Sequence, residues 1–246
     1  MLCSTSAIVL NNRQFSDTSL ICNLYSTDYG KFSIIAKGVR SLKNPYGAVL
    51  QPLNYIDLVY YYKEKRNIQL FKEGSIIKKY YNISNDYQKL VYSLTMSDMI
   101  NFTSYNDSPC HIIFRLITKS LELIDDTNIK FLDYYYIFFN IQLLIYLGYY
   151  PILEKCYGCN NILKSASFDD SAGQLICMKC SKKKESIPSD AIELIHLLSK
   201  THISKINKYF IHSNKNLEII KNYLRKFILY HIPELKSSKA FISLNK

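Results

Sequence analysis

Residues 156–180 read CYGCNNILKSASFDDSAGQLICMKC. Two Cys-x-x-Cys pairs, Cys156 with Cys159 and Cys177 with Cys180, stand on either side of the seventeen residues from Asn160 to Ile176. Each pair aims two sulfurs at one point, and two such turns give the tetrahedral set that zinc prefers. The segment 154–182 must therefore close on itself whatever the rest of the chain does. Four thiolates saturate the ion, whereas a catalytic zinc keeps one position open for water. One structural zinc is the expected cofactor. An iron–sulfur cluster also accepts four thiolates, but nothing else in the sequence favours it. A thioredoxin-like pair is excluded, because neither CYGC nor CMKC follows a strand and opens a helix in a βαβ unit.

The remaining cysteines, Cys3, Cys22 and Cys110, stand alone and read as small buried hydrophobes. At 246 residues the chain can bury a real core without cross-links. No run of about 18 uncharged apolar residues occurs, and MLCSTSAIVLNNRQF lacks the features of a signal peptide. A cytoplasmic protein with no membrane partner is expected. The net charge is +11, distributed unevenly. Residues 1–80 carry 11 basic and 5 acidic side chains, residues 81–155 carry 5 and 8, and residues 156–246 carry 15 and 7. Two basic lobes flank a mildly acidic middle, which suits a polyanionic partner such as nucleic acid.

The fold class expected is α+β. Strand-like alternation fills the first 80 residues: SAIVLNNRQF, then Leu20, Cys22 and Leu24 on one face, Phe32, Ile34 and Ala36 on one face, and Ile56, Leu58, Tyr60 and Tyr62 on one face. IQLFKEGSIIKKY makes a fifth strand, with a bend expected at Gly74. Five strands with a long basic loop predict a closed barrel of the oligonucleotide-binding (OB) type over 1–80. From Ser84 the period turns helical, and a helical domain over 81–246 carrying the zinc insertion is predicted. Ser84 is the expected N-cap of a helix through Ile100, and Ser108-Pro109 opens a second that ends near Asp125. A third runs from about Asn128 to Gly148, apolar on nearly every side and so buried. Further helices are expected over 189–199 and 214–230, after which HIPELKSSKAFISLNK leaves the bundle.

Catalysis finds no support in the sequence. There is no GxxxxGK[ST], GxGxxG, GxSxG or HExxH motif, and the five histidines are scattered. The pairs Asp125-Asp126 and Asp169-Asp170 are adjacent residues of the kind that decorate termini and loops. A non-enzymatic protein is expected.

The stretch FSDTSLICNLYSTDYGKFSIIAKGVRSLKNPYGAVLQPLNYIDLVYYY resembles the opening signature of the RecO family of bacterial recombination mediators. The shared features are Ser-Asp before the second strand, Thr-x-Tyr-Gly-Lys at the turn, Ala-Lys-Gly-x-Arg entering the basic loop and Leu-Gln-Pro leaving it. PELKSSKAFISL is similar to the family's closing segment. The resemblance implies a DNA repair and recombination protein of the cytoplasm and nucleoid. It would bind single- and double-stranded DNA and anneal complementary strands coated with single-strand-binding protein (SSB). It would also act with RecR to load RecA.

Lys31, Lys37, Arg40 and Lys43 occupy the signature turn and loop and are expected to converge, with Arg13 and Arg66 as neighbours. Tyr25, Tyr29 and Tyr46 are candidates for base stacking. Lys182-Lys183-Lys184 reads as a solvated connector. Lys221, Arg225 and Lys226 are candidates to pair with the acidic C-terminal tail of SSB. Two competing readings are an RNA-binding accessory factor, which shares every compositional feature, and a nuclease or ligase using the barrel and zinc as accessory modules.

Overall fold

The computed structural model of the chain describes every residue except 42, 105–107, 150, 184–185, 210–213 and 245–246, and only the backbone of Tyr209 and Asn214. Lys184 and His212 thus lie outside the described residues. The chain divides into two compact units, Met1–Asp126 and Thr127–Lys246.

The first unit is built on a closed barrel of strand order β1-β2-β3-β5-β4, formed by β1 (Leu2–Phe15), β2 (Ser19–Ser26), β3 (Gly30–Ala36), β4 (Tyr55–Tyr61) and β5 (Ile68–Lys78). All neighbours are antiparallel except β3 and β5, whose parallel register pairs Ser33 with Ile68. Alternation drives the interior: Phe32, Ile34 and Ala36 from β3 meet Ile56, Leu58 and Tyr60 from β4 in one core with Leu24 and Phe71. A short helix α1 (Tyr46–Val49) lies in the loop after β3. The expected bend at Gly74 is replaced by pairing of Gly74 with Leu58, and the irregularities of the β4–β5 ladder fall on either side of it.

Strand β1 carries a register shift between Val9 and Asn11. The shift releases the Leu10 carbonyl from its ladder, and Ser97 Oγ donates to it at 2.9 Å. Ser97 belongs to α3 (Tyr87–Thr103), which follows the short α2 (Tyr81–Asn85). Ser84 lies inside α2 and donates to the Tyr80 carbonyl. The N-cap of α3 is instead Asp86, whose carboxylate accepts from the Lys89 amide at 3.0 Å. Helix α4 (His111–Asp126) completes the unit. Helices α2 to α4 fall in the same compact unit as the barrel, while the change from strand to helix pattern comes at residue 80.

In the second unit Asn128 caps a 3-10 turn (Ile129–Phe131) that leads into α5 (Leu132–Tyr146). Helix α5 is buried on almost every side, as its uninterrupted apolar sequence predicts. Gly148, at φ +78, ends the run. Helices α6 (Ser189–Lys200) and α7 (Asn214–His231) fall where expected. The C-terminal segment does not leave the bundle. It forms a 3-10 turn (Pro233–Ser237) and α8 (Lys239–Leu244), with Leu235 and Phe241 fully buried. No described helix is long and apolar enough to cross a membrane.

Candidate nucleic-acid interface and metal centre

The register of β3 separates the predicted cations into two groups. Lys31 is the second residue of the strand, opposite Tyr25, and Lys37 follows its last residue, Ala36, which pairs with Leu20. At about 3.3 Å per residue the two lie about 20 Å apart at opposite ends. Lys31 is also engaged elsewhere, because its Nζ donates to the Asn101 carbonyl in the last turn of α3 at 2.8 Å. Partial burial there lowers the pKa of its ammonium. Arg66 lies in the turn that leads into β5, its amide donating to the Lys63 carbonyl, two residues before Ile68, the partner of Ser33. The expected convergence of all six cations therefore fails: an extended strand stands between Lys31 and Lys37.

Lys37, Arg40 and Lys43 do share one end, and Arg13 joins them. Arg13 pairs with Ile21 one rung before Gln14–Leu20, at the β1–β2 hairpin. Arg40 reaches that same hairpin: its Nη1 donates to the Asp17 carbonyl at 2.8 Å and the Ser16 carbonyl at 3.3 Å, and its amide donates to the Thr18 carbonyl. Arg13, Lys37, Arg40 and Lys43 are all exposed. The opposite half of β1 has the other sign. Ser4, Thr5, Ser6, Asp28, Asp57 and Glu73 line a cavity of about 570 Å³, with Thr5 donating to Asp28 at 2.7 Å and Ser6 to Asp57 at 2.9 Å. The hairpin end and the carboxylate-lined cavity thus give the two halves of β1 opposite charge.

The stacking candidates fare differently. Tyr25 is completely buried, and burial pushes its phenol up to about 12. Tyr46 is half-buried with its ring edge-on to Phe71 at 5.3 Å, and Tyr29 lies edge-on to Phe32 and Tyr60. The aromatic residue at the basic end is one that sequence reasoning passed over, Phe15, which is 49% exposed. Its signal was present: Arg13 and Phe15 are two residues apart on one strand.

The four cysteines of the second unit meet. Their sulfurs all lie within 4.8 Å of one another, and Cys159 and Cys177 are 3.7 Å apart. A tetrahedron with metal–sulfur bonds of about 2.3 Å has edges of about 3.8 Å, so a four-coordinate metal ion fits the set. The backbone shapes each turn. Asn160, left-handed at φ +63, donates its amide to the Cys156 carbonyl, and Cys180 and Ser181 both donate to the Cys177 carbonyl. Burial raises the Cys156 thiol, but amide donation from Cys177, Cys159 and Gly158 outweighs it and brings the group down to about 6. Amides directed at sulfur favour the thiolate that a metal requires.

Between the turns lies a hairpin the sequence pattern did not reveal, β6 (Ala166–Asp169) and β7 (Gln174–Cys177). It is anchored on α7, where the Phe168 ring meets Tyr223 at 5.8 Å and Phe227 at 6.5 Å. Lys183 pairs with Asp170 and donates to the Phe168 carbonyl, so the lysine run is partly structural. Of the residues considered for an SSB tail, Lys221 is held by Asp133 and Glu218, each at 3.0 Å. Arg225 is exposed, and Lys226 lines a cavity of about 430 Å³ with Phe168, Ile187, Ile219 and Tyr223.

Residues 1–80 match the family described as Recombination protein O N terminal, and residues 84–239 match Recombination protein O C terminal. The chain is 27% identical over 252 residues to the DNA repair protein RecO of Pelodictyon phaeoclathratiforme, an alignment covering 97% of this chain and 96% of that protein. It is 24% identical to the RecO of Alkaliphilus metalliredigens over 99% of both chains. With the RecO of Chlorobaculum parvum it shares 31% identity across 65% of this chain and 61% of the other.

Proposed function

Since the chain belongs to the RecO family of DNA repair proteins, we propose that it is a non-enzymatic mediator that binds single- and double-stranded DNA and anneals complementary strands. It acts with RecR and SSB in loading RecA. The observation that carries the DNA-binding part is the cationic end of the barrel, where exposed Arg13, Lys37, Arg40 and Lys43 gather with Arg40 pinned to the hairpin carbonyls. Annealing needs the repulsion between two polyanions to be lowered while base edges stay free, and backbone contacts by cations do this without a nucleotide cofactor. The metal is zinc: four thiolates at tetrahedral spacing are its usual structural set, and they leave no open position for chemistry. Cys156, Cys159, Cys177 and Cys180 would hold it. The SSB tail is assigned to the second unit, where exposed Arg225 and the cavity beside Lys226 offer cations next to apolar surface.

The test is strand annealing with and without SSB, comparing wild type with Lys37→Glu/Lys43→Glu. Both side chains are exposed and neither makes a described hydrogen bond, so the fold should be unchanged. Annealing should slow at least tenfold and binding to single and double strands should weaken together. Wild-type annealing by the double variant would place the DNA path away from the barrel.

A further inference from the structure

The β1–β2 hairpin ends in the sequence Arg13-Gln14-Phe15-Ser16-Asp17-Thr18-Ser19, with Phe15 paired to Ser19 across a three-residue turn. Every residue from Arg13 to Thr18 is exposed, so the tip projects into solvent. Ser16 holds φ +62, a left-handed conformation uncommon for a serine and typical of a tight turn. The Arg40 guanidinium donates two bonds across this turn, to the carbonyls of Ser16 and Asp17. The aromatic ring is thus carried on a braced turn and left half in water. A phenyl group gains nothing from that position by itself, since it is burial that lets an aromatic side chain stabilise a fold.

Its neighbours point to what covers it. Arg13 lies on the same face of β1, and Lys37 and Lys43 lie on the loop that Arg40 ties to the tip. Asp17 contributes the only carboxylate between residues 13 and 19. Cations spaced around one exposed ring are the elements of a single-strand site: the cations track phosphates and the ring takes an unpaired base. We propose that the tip is a base-stacking finger for single-stranded nucleic acid, with Phe15 as the stacking side chain and Arg40 as the residue that positions it. The proposal rests on the DNA-binding reading of the barrel and adds a preference to it. Phosphate contacts serve single and double strands alike, but a base inside a duplex is already stacked and cannot reach Phe15.

Stacking and phosphate binding respond differently to salt, and this makes the finger testable. A base on an aromatic ring contributes about 1–3 kcal/mol, equivalent to roughly a five- to 150-fold change in affinity, and releases no counterion. Affinities of the full-length protein for an oligothymidine and a duplex of equal length would be measured by anisotropy over a series of salt concentrations. Phe15→Ala should weaken single-strand binding at least fivefold with the slope of log affinity against log salt unchanged, and should alter duplex binding less than twofold. Lys37→Glu should weaken both and flatten the slope. The chain contains no tryptophan, so Phe15→Trp supplies a unique reporter, which should retain affinity and be quenched by the single strand alone. Unchanged single-strand affinity in Phe15→Ala, or equal losses on both substrates, overturns the finger while leaving the basic surface standing. Unchanged affinity in Lys37→Glu overturns the barrel surface itself.

Discussion

Lys31 and Lys37 sit six residues apart in one signature and in different surroundings, one engaged and partly buried, the other exposed. Lys31 donates to a carbonyl at the C-terminal end of α3, where a cation also meets the negative end of the helix dipole. Replacing it with Met should cost about 1.5–3 kcal/mol in denaturant melts, the usual worth of a hydrogen bond from a charged group, and should change DNA affinity less than twofold. A large affinity loss with unaltered stability would reverse that assignment. The buried Asn140 of α5 gives a test of the opposite sign. It is 1% exposed, and neither its amide nitrogen nor its oxygen has a partner among the described residues. Asn140→Leu, close in volume, should raise stability by about 1 kcal/mol, whereas Asn140→Asp should lower it by more. A melt in which Leu destabilises would mean that the amide is satisfied by water. Sequence could separate neither Lys31 from Lys37 nor Tyr25 from Phe15. Alternation assigns Leu20, Cys22 and Leu24 to the inner face of β2, but Tyr25 on the other face is just as buried, which period-two reasoning cannot foresee.

Among the elements, the metal module was legible in its ligands and not in its scaffold. Cys-x-x-Cys spacing is a chemical signature that survives without any knowledge of neighbours, and the four sulfurs meet as it requires. The hairpin between them has strands of four residues each, too short for alternation to register, and Phe168 finds its core on α7, at Tyr223 and Phe227, far along the chain. The tail was missed for a similar reason: Pro233 stops α7, but Leu235 and Phe241 return to the core through two very short helical turns. The same geometry predicts how the module fails. If zinc fills the site as proposed, Cys177→Ser should abolish stoichiometric metal and lower the melting temperature, because a four-thiolate site and the turns that carry it fold together. The Phe168 anchor should persist, so helicity by circular dichroism should change little. Full stability with loss of a reaction would mean that the metal is not structural.

At the scale of the whole molecule, the boundary between strand pattern and helix pattern is not the boundary between compact units. Met1–Asp126 is one unit, and three contacts show why: Ser97 donates to the Leu10 carbonyl freed by the β1 irregularity, Asn23 Nδ2 donates to Asn101 Oδ1 at 3.2 Å, and Lys31 donates to the Asn101 carbonyl. Gly30 adds a fourth. At φ +65, a Cβ there would lie 2.3 Å from the Ser108 carbonyl oxygen, so the β2–β3 turn and the segment before α4 are fitted to each other. A fragment ending at residue 80 would expose the outer face of β2 and leave the Leu10 carbonyl without its partner. Charge is divided the other way: Met1–Asp126 holds 14 basic and 11 acidic residues, Thr127–Lys246 holds 17 and 9. Two fragments separate stability from binding. Residues 1–126 should fold cooperatively and bind single strands with a log–log salt slope of roughly −3, as about four neutralised phosphates require. The full chain should show a steeper slope, because the second unit brings cations of its own. Residues 1–80 should unfold at a clearly lower denaturant midpoint than 1–126 or fail to fold. Equal midpoints would show the barrel to be self-sufficient, and a folded 1–126 fragment that bound no DNA would move the interface to the second unit.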